Sequence, residues 1–146
     1  MRIPQSLRAR RVLLDSAAYY ALADQRAHEH ERAIRVHADL IARRFHLFTT
    51  NFILAETHSL LLNRRGRDVA ARMLRTIDAS YTTIVRVRWS DEERARGIIF
   101  AQEDKDYTLT DATSFAVMER LHIGTAFTFD RHFAQFGFAV LGPGDP

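Results

Sequence analysis

Short apolar runs alternate along the chain with longer amphipathic stretches, and this alternation constrains the possible folds most strongly. The runs have the length and the β-branched or aromatic content of buried strands, and they span residues 12–14, 45–49, 82–87, 125–129 and 138–141. Helical patterns separate them, at about 17–22, 28–44, 67–77, from 91 onward, and 111–122. A further helix follows a cap at Thr50 or Asn51, and Gly66 separates it from the helix at 67–77. Strands that alternate with helices favour a parallel sheet covered on both faces. The sequence therefore predicts an α/β fold with a central, mostly parallel sheet of about five strands.

Length and composition fit one compact domain. The 146 residues are 47% hydrophobic, which is enough for a core, and no repeat or internal linker interrupts them. We expect a single domain over 1–146, with its core at about 12–141 and loose ends at 1–10 and 143–146. No apolar run reaches the roughly 18 residues of a membrane span, no signal-peptide pattern follows the arginine-rich start, and there is no cysteine. These features predict a cytoplasmic protein without a membrane partner.

The basic residues are almost all arginine. The chain has 21 basic and 18 acidic residues, and Lys105 is its only lysine. Codon bias in a GC-rich genome is one explanation for this preference. Phosphate recognition is another, because the guanidinium fork of arginine matches phosphate oxygens. A net charge of +3 does not by itself predict nucleic-acid binding.

Four acidic residues indicate the function of the chain. Asp15 and Asp130 end predicted strands, where open α/β sheets form their ligand crevice. Asp111 begins a predicted helix that Thr110 is expected to cap, and Glu56 lies in an otherwise apolar helical stretch. Each aspartate also has a structural explanation, as a turn residue, a helix-start acid or a cap. Acids that converge repel each other and need a cation between them. An oxygen-only donor set favours Mg²⁺ or Mn²⁺, and such a site suits phosphodiester hydrolysis.

The segments around these acids resemble, in the same order along the chain, a PIN domain. They are VLLD at 12–15, TTNFILAE at 49–56, YTLTDATSFA at 107–116 and TFDRHF at 128–133. The likeness is greatest to VapC-type toxins of bacterial toxin–antitoxin pairs and covers about 12–141. It implies a three-layer α/β/α, PIN-like fold and a metal-dependent endoribonuclease that hydrolyses single-stranded loops of tRNA or ribosomal RNA.

The resemblance also implies site residues and partners. Asp15, Glu56, Asp111 and Asp130 would be the catalytic, metal-binding carboxylates, with Mg²⁺ or Mn²⁺ as the cofactor. Glu56 would bind through water or act on the water nucleophile. A cognate antitoxin and a homodimer are expected, on the exposed sides of the helices within 17–44 and 52–77. Some relatives carry another acid shortly after the position of Asp130, whereas this chain does not, so occupancy by a second metal stays open.

Several other residues are candidates for supporting roles. Ser16 and Thr128 are expected to hydrogen-bond a carboxylate or a metal-bound water, and Arg131 to contact a phosphate. Asp104, like Asp106, is either an acid one layer outside the metal ligands or part of a solvated loop. We interpret His58 and His132 as surface or core histidines rather than ligands.

Two further features leave a choice open. Trp89 either stacks on a base or packs in the core, and packing is the more common role of a single tryptophan after a strand. Arg64, Arg65 and Arg67 form a basic patch that fits either an RNA backbone or an acidic antitoxin segment.

Two other functions share some of these residues. A non-catalytic PIN-like binding module would be favoured by the loss of one of the four acids, but none is missing. A Mg²⁺-dependent phosphoaspartate protein would need a second aspartate where Ala17 stands, or a lysine at the end of a late strand, and Lys105 does not occupy such a position.

Overall fold

A computed structural model describes residues 10–143, which form five strands and seven helices. Most of the predicted loose ends therefore lie outside the described residues. No helix in the described part is long and apolar enough to cross a membrane. In chain order the elements are β1 Arg11–Leu14, α1 Ser16–Ala23, α2 His30–Ala42, β2 His46–Thr50, α3 Asn51–Arg65, α4 Arg67–Asp78, β3 Thr83–Val85, α5 Trp89–Ala101, α6 Leu109–Leu121, β4 Thr125–Phe127, α7 His132–Phe136 and β5 Ala139–Leu141.

The strands form one sheet in the order β3-β2-β1-β4-β5, and every pairing is parallel. Helices cover it in a three-layer α/β/α arrangement, which confirms the predicted fold class. The chain moves outward from β1 through β2 to β3 and then returns to the other side of β1 with β4. The strand order therefore reverses between β1 and β4, and a ligand crevice is expected beyond the carboxyl ends of these two strands.

The central position of β1 explains its composition. Val12, Leu13 and Leu14 are 0% exposed, because neighbouring strands and covering helices enclose β1 on all sides. A strand in the middle of a parallel sheet reads as a continuous apolar run for this reason.

Helix α6 runs through the core and holds α7 in place. All residues from 111 to 118 are buried. Phe115 packs edge-on against Phe133 at 5.0 Å between ring centroids and stacks on Phe136 at 4.5 Å. The aromatic contacts fix α7, which begins at His132, against the helix that carries Asp111.

Two helices begin earlier than the sequence suggested. We predicted α5 to open at Asp91 and α6 at Asp111, with Thr110 as the cap, but α5 begins at Trp89 and α6 at Leu109, after Thr108. In both helices the acid is the third helical residue, from which its carboxylate accepts the backbone N–H of the capping residue. The prediction of Thr110 as the cap was therefore wrong.

Candidate active site

Asp15 lies at the reversal point of the sheet, between β1 and α1. Its carboxylate is almost completely buried and accepts hydrogen bonds from Thr128 Oγ1 at 2.9 Å and Ser16 Oγ at 3.5 Å. Burial raises its pKa to about 7, and the nearby charges of Asp111 and Glu56 act in the same direction. Asp15 thus holds a charge at neutral pH only at a considerable energetic cost.

Asp111 is buried at the start of α6 and belongs to the helix cap. Its Oδ2 accepts the backbone N–H of Thr108 at 3.1 Å, while Thr108 Oγ1 accepts the backbone N–H of Asp111 at 3.0 Å. Burial raises the pKa of the Asp111 carboxyl, and repulsion from Asp130 adds to the shift. The cap and the contact with His132 oppose it. Asp111 therefore combines a local structural role with a place in the acidic group.

Asp130 follows β4, and a tight turn places its carboxylate near Asp111. Thr128 Oγ1 accepts the backbone N–H of Asp130 at 3.0 Å, and Asp130 Oδ1 accepts the backbone N–H of His132 at 2.8 Å. The turn brings the His132 ring back to the acids. Its Nδ1 lies 2.8 Å from Asp111 Oδ2 and 3.3 Å from Asp130 Oδ1.

Glu56 approaches the same space from α3. Thr50 caps that helix by accepting the backbone N–H of Ile53 at 3.1 Å, which fixes its start at the end of β2. Glu56 is half-buried, and within residues 10–143 its side chain makes no hydrogen bond or ion pair. Besides burial and the charge of Asp111, the charge of Glu56 raises the pKa of Asp15, so Glu56 lies close enough to the acidic group for the two charges to interact.

The donor set fits a divalent cation. Single ligand atoms of Asp111, Asp130 and His132 lie within 4.8 Å of one another. Asp15 adds a carboxylate whose pKa is raised by its own burial and by repulsion from Asp111 and Glu56. A cation in this space would offset both effects, and hard carboxylate oxygens are suitable ligands for Mg²⁺ or Mn²⁺.

The predictions for the supporting residues differ in how well they agree with the structure. Ser16 and Thr128 contact the Asp15 carboxylate, as expected. Arg131 is exposed beside Asp130, where it is accessible to a ligand. Asp104 contributes nothing visible to the group, because its carboxylate is 78% exposed and pairs with Lys105 at 3.3 Å. Of its two alternatives, the solvated loop is the one observed.

Sequence reasoning left His132 out of the site. A histidine beside a strand-end aspartate is usually a surface residue, and nothing in the spacing shows that the turn after Asp130 folds the ring back. The available signal was the downstream Phe133, which is fully buried and sets the orientation of α7.

The other open alternatives concern the surface. Trp89 is 68% exposed, so the packing explanation was wrong. The patch of arginines is partly engaged within the chain: Arg65 pairs with Asp24 at 3.2 Å, and Arg64 lies 5.4 Å from the centre of the Tyr20 ring. Less free positive charge remains there than the sequence suggests.

The sequence matches the PIN domain family over residues 12–139. The chain belongs to this family. Curated relatives include the 23S rRNA-specific endonuclease VapC20 of Mycobacterium tuberculosis, with 36% identity over 102 residues, 66% of this chain and 74% of the relative. The crystal structure of M. tuberculosis VapC20, described as a sarcin-ricin loop cleaving toxin, superimposes with a TM-score of 0.84 and 28% identity, over 90% of this chain and 99% of that one. These relatives confirm the resemblance to VapC-type toxins.

A more distant structure shares the fold. FitAcB from Neisseria gonorrhoeae superimposes with a TM-score of 0.65 over 90% of this chain and 97% of that one. Its 16% identity supports the PIN architecture and no more.

Proposed function

We propose that this PIN-domain protein is a metal-dependent endoribonuclease and the toxin of a toxin–antitoxin pair. One observation supports the proposal: Asp15, Glu56, Asp111 and Asp130 come from separate elements and lie near one another beyond the point where the strand order of the sheet reverses. Ligand atoms of Asp111 and Asp130 lie within 4.8 Å of each other. Besides burial, the charges of Asp111 and Glu56 raise the pKa of Asp15. Buried acids that repel each other destabilise a fold. Their convergence is explained if the site holds Mg²⁺ or Mn²⁺.

The residues have distinct parts in the proposed reaction. Asp15, Asp111 and Asp130 hold the ion, which when bound supplies positive charge for the attacking and leaving oxygens. Hydrolysis joins a water oxygen to phosphorus and breaks the bond from phosphorus to the leaving ribose oxygen. In the proposed reaction Glu56 orients that water and takes its proton, which is supported by its half-buried position in α3 and by the effect of its charge on Asp15. Thr128 and Ser16 keep Asp15 in position.

The proposed substrate is a single-stranded loop of ribosomal RNA. The names of the VapC20 relatives support a ribosomal loop over a tRNA loop. Arg131 is exposed next to Asp130 and supplies a guanidinium for the RNA phosphate. Because the proposed substrate is ribosomal RNA, the proposed place of action is the cytoplasm.

The proposed antitoxin would dock on an apolar groove away from the acids. The groove has a volume of about 940 Å³ and lies between α1, α2 and α4, with Leu22, Ile41, Val69, Met73 and Ile77 among its lining residues. Ile41 is 54% exposed. Arg44 and Arg72 also line the groove, so the proposed occupant is an amphipathic antitoxin segment with acidic residues. A homodimer is also proposed; the exposed Leu62 of α3 is available for it, and light scattering of the isolated protein tests it.

The test is to locate the cleavage in RNA. Purified protein is incubated with ribosomes, with deproteinised 23S rRNA and with total tRNA in the presence of Mn²⁺, and the new ends are mapped by primer extension. We expect one dominant cut in a loop of the ribosomal RNA. Cleavage confined to tRNA would contradict the proposed substrate, and absence of any cleavage would contradict the proposed activity.

A further inference from the structure

His132 lies between two of the proposed metal ligands. Its Nδ1 atom is 2.8 Å from Asp111 Oδ2 and 3.3 Å from Asp130 Oδ1. The side chain is 18% exposed, and its ring meets the edge of Tyr107 at 5.5 Å between centroids. The ring is therefore held in place, with one nitrogen directed at the acids.

We propose that His132 is itself a metal ligand through Nδ1, so that the ion is bound by nitrogen as well as carboxylate oxygen. This inference rests on the proposed function, because it concerns the ion of the same site. Without the ion, Nδ1 lies at hydrogen-bond distance from Asp111 Oδ2. With the ion bound, the neutral imidazole would carry its proton on Nε2, which leaves the Nδ1 lone pair for the metal.

The distances match those within a coordination shell. Adjacent ligands of an octahedral ion lie about 3.0 Å apart when each is about 2.1 Å from the ion. The two separations from His132 Nδ1, 2.8 and 3.3 Å, are on either side of that value. His132 Nδ1 therefore lies at the distance of an adjacent ligand from each carboxylate, and single ligand atoms of the three residues lie within 4.8 Å of one another.

The backbone prepares this arrangement. Asp130 Oδ1 accepts the backbone N–H of His132 at 2.8 Å, which sets the turn between the two residues. The next residue, Phe133, is fully buried and packs against Phe115 of α6. The same helix carries Asp111, so the ring and both carboxylates are supported by one packed unit.

A nitrogen ligand has consequences for the choice of metal. Carboxylate oxygens suit Mg²⁺ and Mn²⁺ alike, whereas imidazole suits transition metals and adds little for Mg²⁺. His132 should therefore favour Mn²⁺ over Mg²⁺. Removing the nitrogen should weaken Mn²⁺ binding more than Mg²⁺ binding.

The experiment reads the ligand directly. Mn²⁺ is added to the full chain, prepared without a polyhistidine tag, and ¹⁴N couplings to the ion are measured by pulsed electron paramagnetic resonance. His132→Asn can place its amide N–H where Nδ1 lies, so it can retain a donor to Asp111, and the amide nitrogen has no lone pair available for a metal. His28→Asn, at an exposed position in the loop before α2, is the matched control. Mn²⁺ and Mg²⁺ affinities are measured calorimetrically for all three proteins.

We expect an imidazole ¹⁴N coupling in the wild type and in His28→Asn, and none in His132→Asn. The Mn²⁺ affinity of His132→Asn should fall about 10- to 100-fold, with a smaller loss for Mg²⁺. Bound Mn²⁺ without an imidazole coupling in the wild type would show that His132 only positions the carboxylates, and wild-type Mn²⁺ affinity in His132→Asn would show that His132 does not help to hold the ion. Either result overturns the inference and leaves the proposed function standing. Failure of the wild type to bind Mn²⁺ or Mg²⁺ at all would overturn both.

Discussion

Thr128 Oγ1 donates a hydrogen bond to Asp15 Oδ2 at 2.9 Å, and so joins the ends of β4 and β1 across 113 positions of the sequence. The same oxygen accepts the backbone N–H of Asp130. Gly142, the residue after β5, lies against the Thr128 backbone: it has a φ of +116°, and a Cβ at this position would overlap the carbonyl oxygen of Thr128. One hydroxyl group therefore positions two of the proposed metal ligands.

Replacement of that hydroxyl should reduce both stability and activity. Thr128→Val keeps the shape but leaves the backbone N–H of Asp130 without its acceptor, at a cost of about 1–3 kcal/mol in the free energy of unfolding. We expect about tenfold slower cleavage, because Asp15 loses its donor. Thr128→Ser restores the hydroxyl, so chemical denaturation and cleavage rates should both be close to wild type. Equal rates for the valine and serine variants would show that the hydroxyl does not position the site.

Asp15 predicts how stability depends on pH in the absence of metal. Its pKa is 3.8 ordinarily and about 7 in the folded protein. Between these values the folded chain keeps a proton that the unfolded chain has lost, so stability should fall as pH rises from about 4 to about 7 and then level off. The full difference corresponds to about 4 kcal/mol.

Asp15→Asn is the matched variant for this prediction, because its amide oxygen can still accept from Thr128. Thermal melts in EDTA should show that the wild type loses more stability than Asp15→Asn between about pH 5 and pH 8. Mn²⁺ should then raise the melting temperature of the wild type at the higher pH, and that of the variant much less. Parallel pH curves for the two proteins would mean that Asp15 is not under strain from burial and repulsion.

Asp111 is both part of the α6 cap and a proposed metal ligand, and variants of Asp111 and Thr108 separate these two roles. Asp111→Asn keeps an oxygen for the Thr108 N–H, so we expect it to remain folded while cleavage falls by about 100-fold or more. Thr108→Ala removes the other half of the cap and should lower stability by about 1 kcal/mol but preserve most of the cleavage. Cleavage rates and denaturation curves of both variants test this. If Thr108→Ala is as inactive as Asp111→Asn, the loss of activity comes from the helix start.

Arg131 should contribute to RNA binding through charge alone. Arg131→Ala, made in the inactive Asp15→Asn background, should weaken binding and lower the slope of log K against log salt by about 1. Arg35→Ala, at an exposed position of α2, is the control and should leave the slope unchanged. Fluorescence anisotropy over a salt series gives both numbers. An unchanged slope for Arg131→Ala would remove Arg131 from the RNA surface.

The sequence predicted those parts of the molecule that are determined locally. The apolar run at 12–14 gave β1 because a central parallel strand has no exposed face. Gly66, with a φ of +90°, separates α3 from α4, as its conformational freedom suggested. Asp15, Asp111 and Asp130 were singled out because strand-end and helix-start positions can be recognised from the surrounding pattern, and Glu56 because it is charged in an otherwise apolar stretch.

What the sequence did not predict depends on contacts between distant segments. The start of α6 was misplaced because Thr108 and Thr110 are both acceptable caps, and only the reciprocal bonds of Thr108 with Asp111 distinguish them. His132 was missed because its place in the site depends on the packing of Phe133 against Phe115. The exposure of Trp89 likewise follows from where α5 lies, which local pattern does not reveal.

Single-turnover cleavage of a ribosomal RNA loop, with and without metal, tests the central claim most directly. Wild-type protein treated with EDTA should be inactive, and Mn²⁺ or Mg²⁺ should restore its activity. Glu56→Gln is the informative variant, because the Glu56 side chain makes no hydrogen bond or ion pair within the described residues. It should unfold within about 0.5 kcal/mol of wild type yet cleave about 100-fold more slowly at saturating Mn²⁺. Full cleavage by the metal-free wild type, or wild-type rates for Glu56→Gln, would contradict the assignment of this acidic cluster as a metal-dependent ribonuclease centre.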